Sequence, residues 1–232
     1  MQYRGISKAE LFLRLLFPAR CICCDTVLPF DAPREVCGDC EKDIKFLKEC
    51  VYAYSSGSHI TRVYSAFDYE GVIRKAIHRL KFGDTPHNAS VLVDLSYPLL
   101  ESSIQSHCKS GSNYDIIIPV PLHPGRKRQR GYNQSELIAS RLSHHMKVPM
   151  LRGVLVKKVN TPPQSRLKRG ERLKNLIGVF CVKKPDLVSG RKILLVDDIM
   201  TTGSTAGQCA KSLMDAGARQ VDAYMVAIRK KL

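Results

Sequence analysis

Apolar and polar residues follow two alternating patterns from about residue 60 onward. Three short, nearly continuous apolar runs predict buried strands, at residues 63–67, 115–121 and 193–196. Runs of this kind are typical of strands whose two faces are both covered, as in a parallel sheet. Between them, residues 71–80 and 90–100 are compatible with helices that pack on the sheet. The pattern predicts an α/β domain over residues 60–232, with a parallel sheet flanked by helices.

The first 55 residues are organised differently, and a polar segment at residues 54–59 follows them as a predicted linker. Near the start, LFLRLLFPARC has the look of a secretion signal, but its longest apolar run is three residues and Arg14 interrupts it. We therefore expect an amphipathic helix that docks on the rest of the protein through Leu11, Phe12, Leu15 and Leu16. No stretch approaches the ~20 apolar residues of a membrane-spanning helix. We expect a cytoplasmic protein.

Six of the nine cysteines lie within the first 50 residues. Two Cys-x₂-Cys pairs, Cys21 with Cys24 and Cys37 with Cys40, are separated by twelve residues. Four thiolates at this spacing are typical of tetrahedral Zn²⁺, and a closed set of four leaves no open position for catalysis. The spacing predicts a structural zinc module over residues 1–55, too small to fold without its metal. Disulfides are the competing interpretation, and two further cysteines are alternative ligands: Cys23 and Cys50.

Residues 193–205 read ILLVDDIMTTGST, so two aspartates, Asp197 and Asp198, end the third apolar run. In open α/β sheets ligands bind at the carboxyl ends of the strands, and a loop of small residues that opens a helix presents N–H groups to an anion. We expect a helix over 205–216, preceded by a phosphate-binding loop of Thr201, Thr202, Gly203, Ser204 and Thr205. The aspartates would repel a phosphate, but they accept hydrogen bonds from a diol or hold Mg²⁺ through its waters. A ribose 5-phosphate satisfies both halves.

Three other interpretations of the Asp-Asp stretch are weaker. A Walker B strand requires a P-loop, and G-x-x-x-x-G-K-[ST] occurs nowhere in the sequence. A receiver domain carries its acidic pair early in the sheet, whereas only 34 residues follow Asp198. The third interpretation is a turn with a purely structural role.

The positive charge is large and concentrated. The sequence has 37 Lys and Arg against 21 Asp and Glu, a net charge of +16, and residues 121–174 hold fourteen of the basic residues but only two acidic ones. Such clustering indicates a polyanionic partner, either nucleic acid or a small molecule with several phosphates, and a generally basic surface is the alternative. Residues 122–134 are predicted to form a cationic loop after the second strand, and Ser135 to cap the next helix. The candidate anion-binding residues of this loop are Arg126, Arg128, Arg130 and Gly131.

A third basic segment covers residues 160–180. Pro162 and Pro163 keep its start out of a helix. Few apolar residues precede Leu173, so the segment is either a mobile flap over the site or a nucleic-acid contact, and the sequence leaves both open. Its candidate ligand-contacting residues are Arg166, Lys168, Arg169 and Arg172.

The Asp-Asp stretch resembles the motif of type I phosphoribosyltransferases, which has four apolar residues, two acidic residues, a variable pair and a Thr-Gly loop. Further segments narrow the resemblance, because the cysteine pairs are followed in order by IHRLKFGD, PVPLHPGRKRQRGYNQSELIA and PPQSRLKRGERLKNLIGVF. By these motifs the chain is similar to the ComF family over nearly its whole length. The resemblance implies a type I phosphoribosyltransferase fold with a small N-terminal Cys₄ zinc module.

For function, the resemblance implies binding of phosphoribosyl pyrophosphate with Mg²⁺ and a role in natural competence. It also implies a partner, a helicase-like ATPase of the ComFA type that helps to bring single-stranded DNA inward, and hence a place beside the membrane-bound uptake machinery. Asp197 and Asp198 resemble the residues that hold the ribose diol, and residues 201–205 match the 5-phosphate loop. Residues 121–133 take the pyrophosphate-binding place and residues 160–174 that of the flexible hood.

Two classes of function remain open on the sequence. The first is a phosphoribosyltransferase whose acceptor is unknown. The second is a non-catalytic adaptor that handles single-stranded DNA and uses the fold to sense a ligand or to dock. A further hypothesis makes the zinc module the docking surface for the ATPase, to be tested by deletion of residues 1–55.

Overall fold

This computed structural model describes residues 17–47, 50–53, 59–107, 114–159 and 178–229. The helices are α1 (Gly38–Lys42), α2 (Gly71–Phe82), α3 (Asn88–His107), α4 (Pro124–Arg130), α5 (Gln134–Met146) and α6 (Ser204–Asp215). The strands are β1 (Val51–Ala53), β2 (Arg62–Asp68), β3 (Ile116–Pro119), β4 (Leu155–Lys157), β5 (Phe180–Val182), β6 (Lys192–Met200) and β7 (Gln220–Ile228). A short 3₁₀ turn at Pro185–Leu187 precedes β6.

The main sheet has five strands in the order β1-β2-β7-β6-β3. The four strands from β2 to β3 run parallel, and β1 pairs antiparallel with β2 at the edge. A separate antiparallel hairpin joins β4 to β5. The carboxyl ends of all four parallel strands therefore meet at one edge of the sheet, which is where ligands bind in open α/β folds.

Both faces of the sheet are covered, which explains the continuous apolar runs. Along β6, Leu194 and Val196 join the core formed with α2, α3, α5 and the cysteine-rich segment. Ile193 and Leu195 join the opposite core, formed with α6 and the β4–β5 hairpin. Successive side chains of a strand point to opposite faces, so a strand with no polar face needs cover on both sides. The predicted α/β fold with a parallel sheet is confirmed.

The predicted cationic loop is wrong in one respect, because residues 124–130 form helix α4. The imidazole of His123 accepts a hydrogen bond from the Gly125 N–H at 3.2 Å, which caps the helix. Pro124 occupies the first turn, where its fixed φ suits a helix. Gly131 ends the helix in the left-handed region, with φ 84°. The cap residues at the two ends outweigh the turn propensity of the glycines.

The predicted cap of the following helix is also wrong. Asn133, not Ser135, caps α5, because its side-chain oxygen accepts a hydrogen bond from the Ser135 N–H at 3.1 Å. The Asn133 amide also donates to the carbonyl of Val120 at 3.0 Å. This residue therefore fixes the start of α5 against the end of β3, and Ser135 is left to face the edge of the sheet.

Strand β6 is longer than its apolar run. It continues to Met200, so Asp197 and Asp198 lie within the strand rather than after it. Parallel pairing with β7 continues alongside, with Asp197 opposite Met225 and Met200 opposite Ile228. Hydrogen bonding to the neighbouring strand keeps the two aspartates in extended conformation. The tertiary context therefore overrides the local sequence pattern.

The cysteine-rich segment, residues 17–47, packs on the same face as α2. Ile22 belongs to the core that contains the buried face of that helix. The buried Asn88 amide donates to the carbonyls of Ile22 and Ala76, at 3.4 and 3.2 Å, and Arg79 of α2 forms an ion pair with Asp25. The segment is therefore joined to α2 by apolar, polar and charged contacts.

Two predictions about the first part of the chain have different outcomes. The amphipathic helix with Leu11, Phe12, Leu15 and Leu16 lies outside the described residues, as does most of the predicted linker. Among the described helices, none combines the length and the hydropathy that a membrane crossing requires.

Candidate sugar-phosphate site and metal cluster

A cavity of about 580 Å³ lies at the carboxyl edge of the sheet. Its lining comes from the ends of β2, β3, β6 and β7, from α2, α4 and α5, and from the β4–β5 hairpin. The volume lies within the roughly 300–1,000 Å³ of small-molecule pockets. Residues separated by up to 160 positions in sequence therefore line one space.

The two predicted aspartates line this cavity, and each has a partner. The Ser135 hydroxyl donates to Asp197 Oδ1 at 2.7 Å, and the Asp198 N–H donates to the same oxygen at 2.9 Å. Asp198 is 3% exposed, and its Oδ2 lies 2.8 Å from Lys81 Nζ. The carboxylates are thus fixed in orientation, as a site that recognises a diol requires.

The pKa of Asp197 is raised to about 7. Burial is the largest cause, because a low-dielectric environment disfavours the charged carboxylate, and the neighbouring charge of Asp198 adds to it. The Ser135 hydrogen bond and the Lys81 ammonium act in the opposite direction. One of the two adjacent carboxylates therefore exchanges its proton near neutral pH, which is typical of functional sites.

The predicted phosphate loop forms a small recess of about 40 Å³ beside the main cavity. All five candidate residues line it: Thr201, Thr202, Gly203, Ser204 and Thr205. Gly203 has φ 73°, a left-handed conformation that β-branched residues rarely adopt, and α6 begins immediately after it. The N-terminus of a helix presents free N–H groups and a positive dipole end, which favour an anion.

Helix α4 brings only part of its positive charge to the cavity. Arg126 and Arg130 line it, whereas Arg128 is exposed and lies outside the lining. Arg130 donates to Gln134 Oε1 at 2.6 Å and stacks over Phe82 at 5.2 Å from the ring centre. Burial lowers the pKa of the Arg130 guanidinium, which nevertheless stays charged. Gly131, the other candidate residue of this loop, acts as a helix terminator outside the lining.

The structure adds residues to the site that sequence reasoning did not select. Lys81 contacts Asp198, and Arg74 lines the cavity from the same helix. Positions 74 and 81 are two helical turns apart and share one face, so their spacing in a predicted helix was a usable signal. Four further lining residues carried no such signal: Tyr69, Phe82, Lys157 and Arg229. Burial lowers the pKa of Lys157, and the charge of Arg126 contributes.

The four candidate residues of the flexible hood lie outside the described residues: Arg166, Lys168, Arg169 and Arg172. The hairpin strands on either side of this segment are described, and Lys157 of β4 and Phe180 of β5 line the cavity. The described strands that flank the segment therefore lie next to the site, and the role of the segment stays a prediction.

The sulfur atoms of the four predicted metal ligands lie together, all within 4.8 Å of one another: Cys21, Cys24, Cys37 and Cys40. The Sγ atoms of Cys24 and Cys37 are 3.7 Å apart. Tetrahedral Zn²⁺ with Zn–S bonds of about 2.3 Å places its sulfurs about 3.8 Å apart, so the donor set fits a metal such as zinc. Backbone N–H groups of Cys37 and Cys40 donate to sulfurs of the cluster, at 3.4 and 3.5 Å. Such bonds orient thiolate ligands.

The two alternative ligands are not members of this group of four sulfurs. Cys23 and Cys50 are not among the four grouped sulfurs of the described residues. Cys23 is buried, and all the described cysteines are free of disulfides. Among the described cysteines, the predicted set of four ligands is therefore the one that the structure brings together.

Comparison with known proteins agrees with this arrangement. The family described as phosphoribosyl transferase domain matches residues 133–231. Competence protein F of Haemophilus influenzae is 29% identical over 227 residues, which cover 91% of this chain and 97% of that protein. The DNA utilization protein YhgH of Shigella flexneri is 33% identical over 164 residues, 70% of each chain.

The chain belongs to the ComF family. Competence protein ComFC of Bacillus subtilis is also similar, with 30% identity over 157 residues that cover 66% of this chain and 58% of that one. The ComF family assignment and the matched domain give the fold, a mixed α/β phosphoribosyltransferase domain with a parallel sheet. Its matched region begins at Asn133 and so includes the start of α5, the Asp-Asp motif and the phosphate loop.

Proposed function

We propose that this member of the ComF family binds phosphoribosyl pyrophosphate at the carboxyl edge of its sheet and serves natural competence. The observation that carries the proposal is the convergence of three unlike groups on one cavity: the aspartate pair, the loop 201–205 and the arginines of α4. A vicinal diol, a terminal phosphate and a pyrophosphate are the chemical partners of these groups, and phosphoribosyl pyrophosphate carries all three. The names of the relatives support the process, competence and DNA utilization.

Each part of the ligand has a stated partner in this proposal. Residues 201–205 hold the 5-phosphate through backbone N–H groups and hydroxyls at the start of α6. Asp197 and Asp198 accept hydrogen bonds from the two ribose hydroxyls, with Ser135 and Lys81 keeping the carboxylates in place. Arg126 and Arg130 contact the pyrophosphate, because bidentate guanidinium groups match its oxygens.

The residues also fit a Mg²⁺ ion that arrives with the ligand. Mg²⁺ prefers a few carboxylates and several substrate oxygens to an all-protein cage, and this edge offers one adjacent carboxylate pair. When bound, Mg²⁺ would stabilise negative charge on the leaving pyrophosphate. Zinc is proposed for the separate Cys₄ cluster, where its role is structural.

The reaction that this arrangement favours is phosphoribosyl transfer. Positive charge develops at the ribose C1 as the pyrophosphate leaves, and the aspartates orient the sugar and stabilise that charge. Arg126 and Arg130 stabilise the charge on the departing group. The hood, predicted over residues 160–174, would exclude water that otherwise hydrolyses the donor.

The test is calorimetric titration of the full chain with phosphoribosyl pyrophosphate and Mg²⁺. We expect the double change Asp197→Asn with Asp198→Asn to weaken binding about a hundredfold or more, since two charge-assisted pairs of hydrogen bonds are lost. Asp215→Asn is the matched control, because Asp215 is an exposed acid at the far end of α6. Unchanged affinity in the double variant contradicts the site.

A second candidate is an adaptor for single-stranded DNA that uses the same fold without catalysis. The observation in its favour is Arg128, which is exposed on α4 outside the cavity. Arg128 has no assigned contact with phosphoribosyl pyrophosphate in the first proposal. DNA binding through phosphates falls steeply with salt, and each lost contact makes the slope shallower. Fluorescence anisotropy with a labelled oligonucleotide tests the adaptor, which is supported by salt-sensitive binding that survives loss of the aspartate pair. A separate assay of pyrophosphate release tests the enzyme, which is supported by release that depends on an added acceptor.

A further inference from the structure

One part of the cavity wall takes no part in the donor binding proposed above. The proposed donor contacts come from the end of β6, from residues 201–205 and from α4. Three other lining residues lie near the ends of β2 and β7: Tyr69, Arg74 and Arg229. These residues come from three separate elements, so their meeting is a property of the fold and not of one basic stretch of sequence.

The backbone fixes two of these residues side by side. Tyr69 follows β2, and its N–H donates to the Ile228 carbonyl of β7 at 2.9 Å. Arg229 follows β7, and its N–H donates to the Met200 carbonyl of β6 at 2.9 Å. The proposed phosphate loop begins at Thr201, the residue that follows Met200 and the end of β6. Arg229 therefore lies beside the donor site without belonging to the aspartate pair or to the loop.

The two arginines are not neutralised by the described part of the protein. Among the described residues, neither Arg74 nor Arg229 forms an ion pair or a side-chain hydrogen bond. The acid nearest to Arg74 in sequence, Glu70, is paired with Lys45 at 2.7 Å. A pair of guanidinium groups at a cavity wall is suited to a carboxylate or phosphate, which it contacts through several parallel N–H bonds.

Helix α2 gives the distance between Arg74 and the proposed ribose position. Arg74 and Lys81 are seven residues apart on one face, and so about 10 Å apart along the helix axis. Lys81 contacts Asp198, so it marks the place proposed for the ribose. The part of the cavity wall that α2 forms thus runs about 10 Å along the helix from Lys81 to Arg74, so Arg74 is separated from the proposed diol position.

We propose that Arg74 and Arg229, with Tyr69 beside them, bind the anionic group of a small acceptor whose nucleophilic atom faces the ribose C1. This inference rests on the proposed function. In the transfer step a bond forms between the acceptor heteroatom and C1, the C1–O bond to pyrophosphate breaks, and pyrophosphate leaves with the electron pair. The acceptor proton passes to solvent. Two cations match one anionic group, whereas a nucleic acid strand needs a longer track of contacts.

The experiment is an NMR titration of the full chain, saturated with phosphoribosyl pyrophosphate and Mg²⁺, using benzoate as the anionic probe. Benzoate is added up to about 50 mM, a concentration at which even a site with a millimolar dissociation constant is almost fully occupied. We expect it to shift the amide signals of Tyr69, Arg74 and Arg229. Its neutral analogue benzamide should leave them unchanged. Arg74→Met and Arg229→Met should each weaken the probe about tenfold. The matched control is Lys75→Met, an exposed cation one residue along α2 and outside the cavity lining.

The outcomes separate this inference from the proposed function. If the donor binds but benzoate does not shift these amides, or benzamide acts equally, the acceptor site is overturned and the donor site stands. If the donor itself fails to bind, the proposed function fails, and the same titration without donor still decides whether the arginine pair holds an anion. An oligonucleotide that shifts the same amides more strongly than benzoate overturns the small acceptor in favour of DNA.

Discussion

The Cys₄ cluster and the cavity at the sheet edge are built in opposite ways. The cluster takes all its ligands from twenty consecutive residues, and their sulfur atoms lie within 4.8 Å of one another. The cavity takes its charged residues from β6, the residue after β7, α2, α4 and the β4–β5 hairpin, and its volume is about 580 Å³. A metal ion needs one small donor set, whereas a sugar phosphate needs separate partners for its phosphates and its diol.

The comparison also concerns what each region loses when one residue changes. A closed tetrahedral site loses its function with any one of its four ligands, because the coordination is complete only as a set. A distributed site loses one contact at a time, and its residues differ in how much each contributes. We therefore expect changes in the cluster to act on folding and changes in the cavity to act mainly on ligand affinity.

The largest expected effect is loss of a buried metal ligand. Cys40→Ser should abolish zinc binding and lower the unfolding temperature by roughly 10 °C or more, because structural zinc contributes several kcal/mol and each kcal/mol corresponds to about 2–4 °C in a domain of this size. Metal analysis and thermal unfolding measure the two effects. Cys23→Ala is the control, since Cys23 is buried beside the cluster but is not one of the grouped sulfurs. A Cys40→Ser protein that keeps one equivalent of zinc contradicts the assignment.

The Lys81–Asp198 pair tests whether the cavity is coupled internally. Lys81→Met and Asp198→Asn should each destabilise the protein by about 1–3 kcal/mol, because each leaves a partner largely buried and unpaired. The double variant should cost less than the sum, with a coupling of about 1 kcal/mol or more. Urea unfolding of the four proteins closes this cycle. Strict additivity would show that the contact contributes nothing to stability.

The inner and outer faces of α4 sharpen the contrast at the cavity. Arg130→Ala should weaken phosphoribosyl pyrophosphate binding about tenfold, as expected for one charge-assisted contact. Arg128→Ala should change it less than about twofold, because Arg128 is exposed and outside the lining. Calorimetry on both variants gives the comparison. Equal losses would mean that the whole helix, and not its inner face, attracts the ligand.

The last expected effect is a pH dependence of stability. The pKa of Asp197 in the folded protein is about 7, above the ordinary 3.8, so the folded state binds this proton more tightly than the unfolded state. Its contribution to stability is therefore lost as the pH rises through about 7. We expect the ligand-free protein to unfold at lower temperature at pH 8 than at pH 5.5. Asp197→Asn should reduce the difference in unfolding temperature between the two pH values. An unchanged difference in this variant contradicts the raised pKa of Asp197.

The parts of the fold that sequence reasoning predicted are those with a local signal. The all-apolar run before Asp197 indicates a strand that must be covered on both faces. The two Cys-x₂-Cys pairs indicate four thiolates around one metal ion. The Gly203 loop is similar, since a glycine between hydroxyls precedes a helix. In each case the residue types that carry the signal lie close together in the sequence.

The parts that sequence reasoning missed depend on contacts between distant residues. Strand β6 continues through two aspartates because β7 pairs with it to the end. Ser135 did not become a cap, because Asn133 reaches the Ser135 N–H and the Val120 carbonyl together. Arg229 enters the site only because β7 ends beside β6. The Asn133–Ser135 bond is local, but the contacts with Val120 and with β7 join residues that no short window of sequence contains together.

The hydrogen bonds of Asn88 make the first segment of this protein difficult to remove cleanly. One amide group donates to the carbonyls of Ile22, next to Cys21 of the cluster, and of Ala76, on the helix that carries Lys81. A truncation before residue 60 would remove the apolar residues that pack on that helix, and the Asn88 amide would lose its hydrogen bond to the Ile22 carbonyl. Shortened or chimeric versions should therefore keep the cysteine-rich segment and α2 from the same parent, so that both change together or not at all.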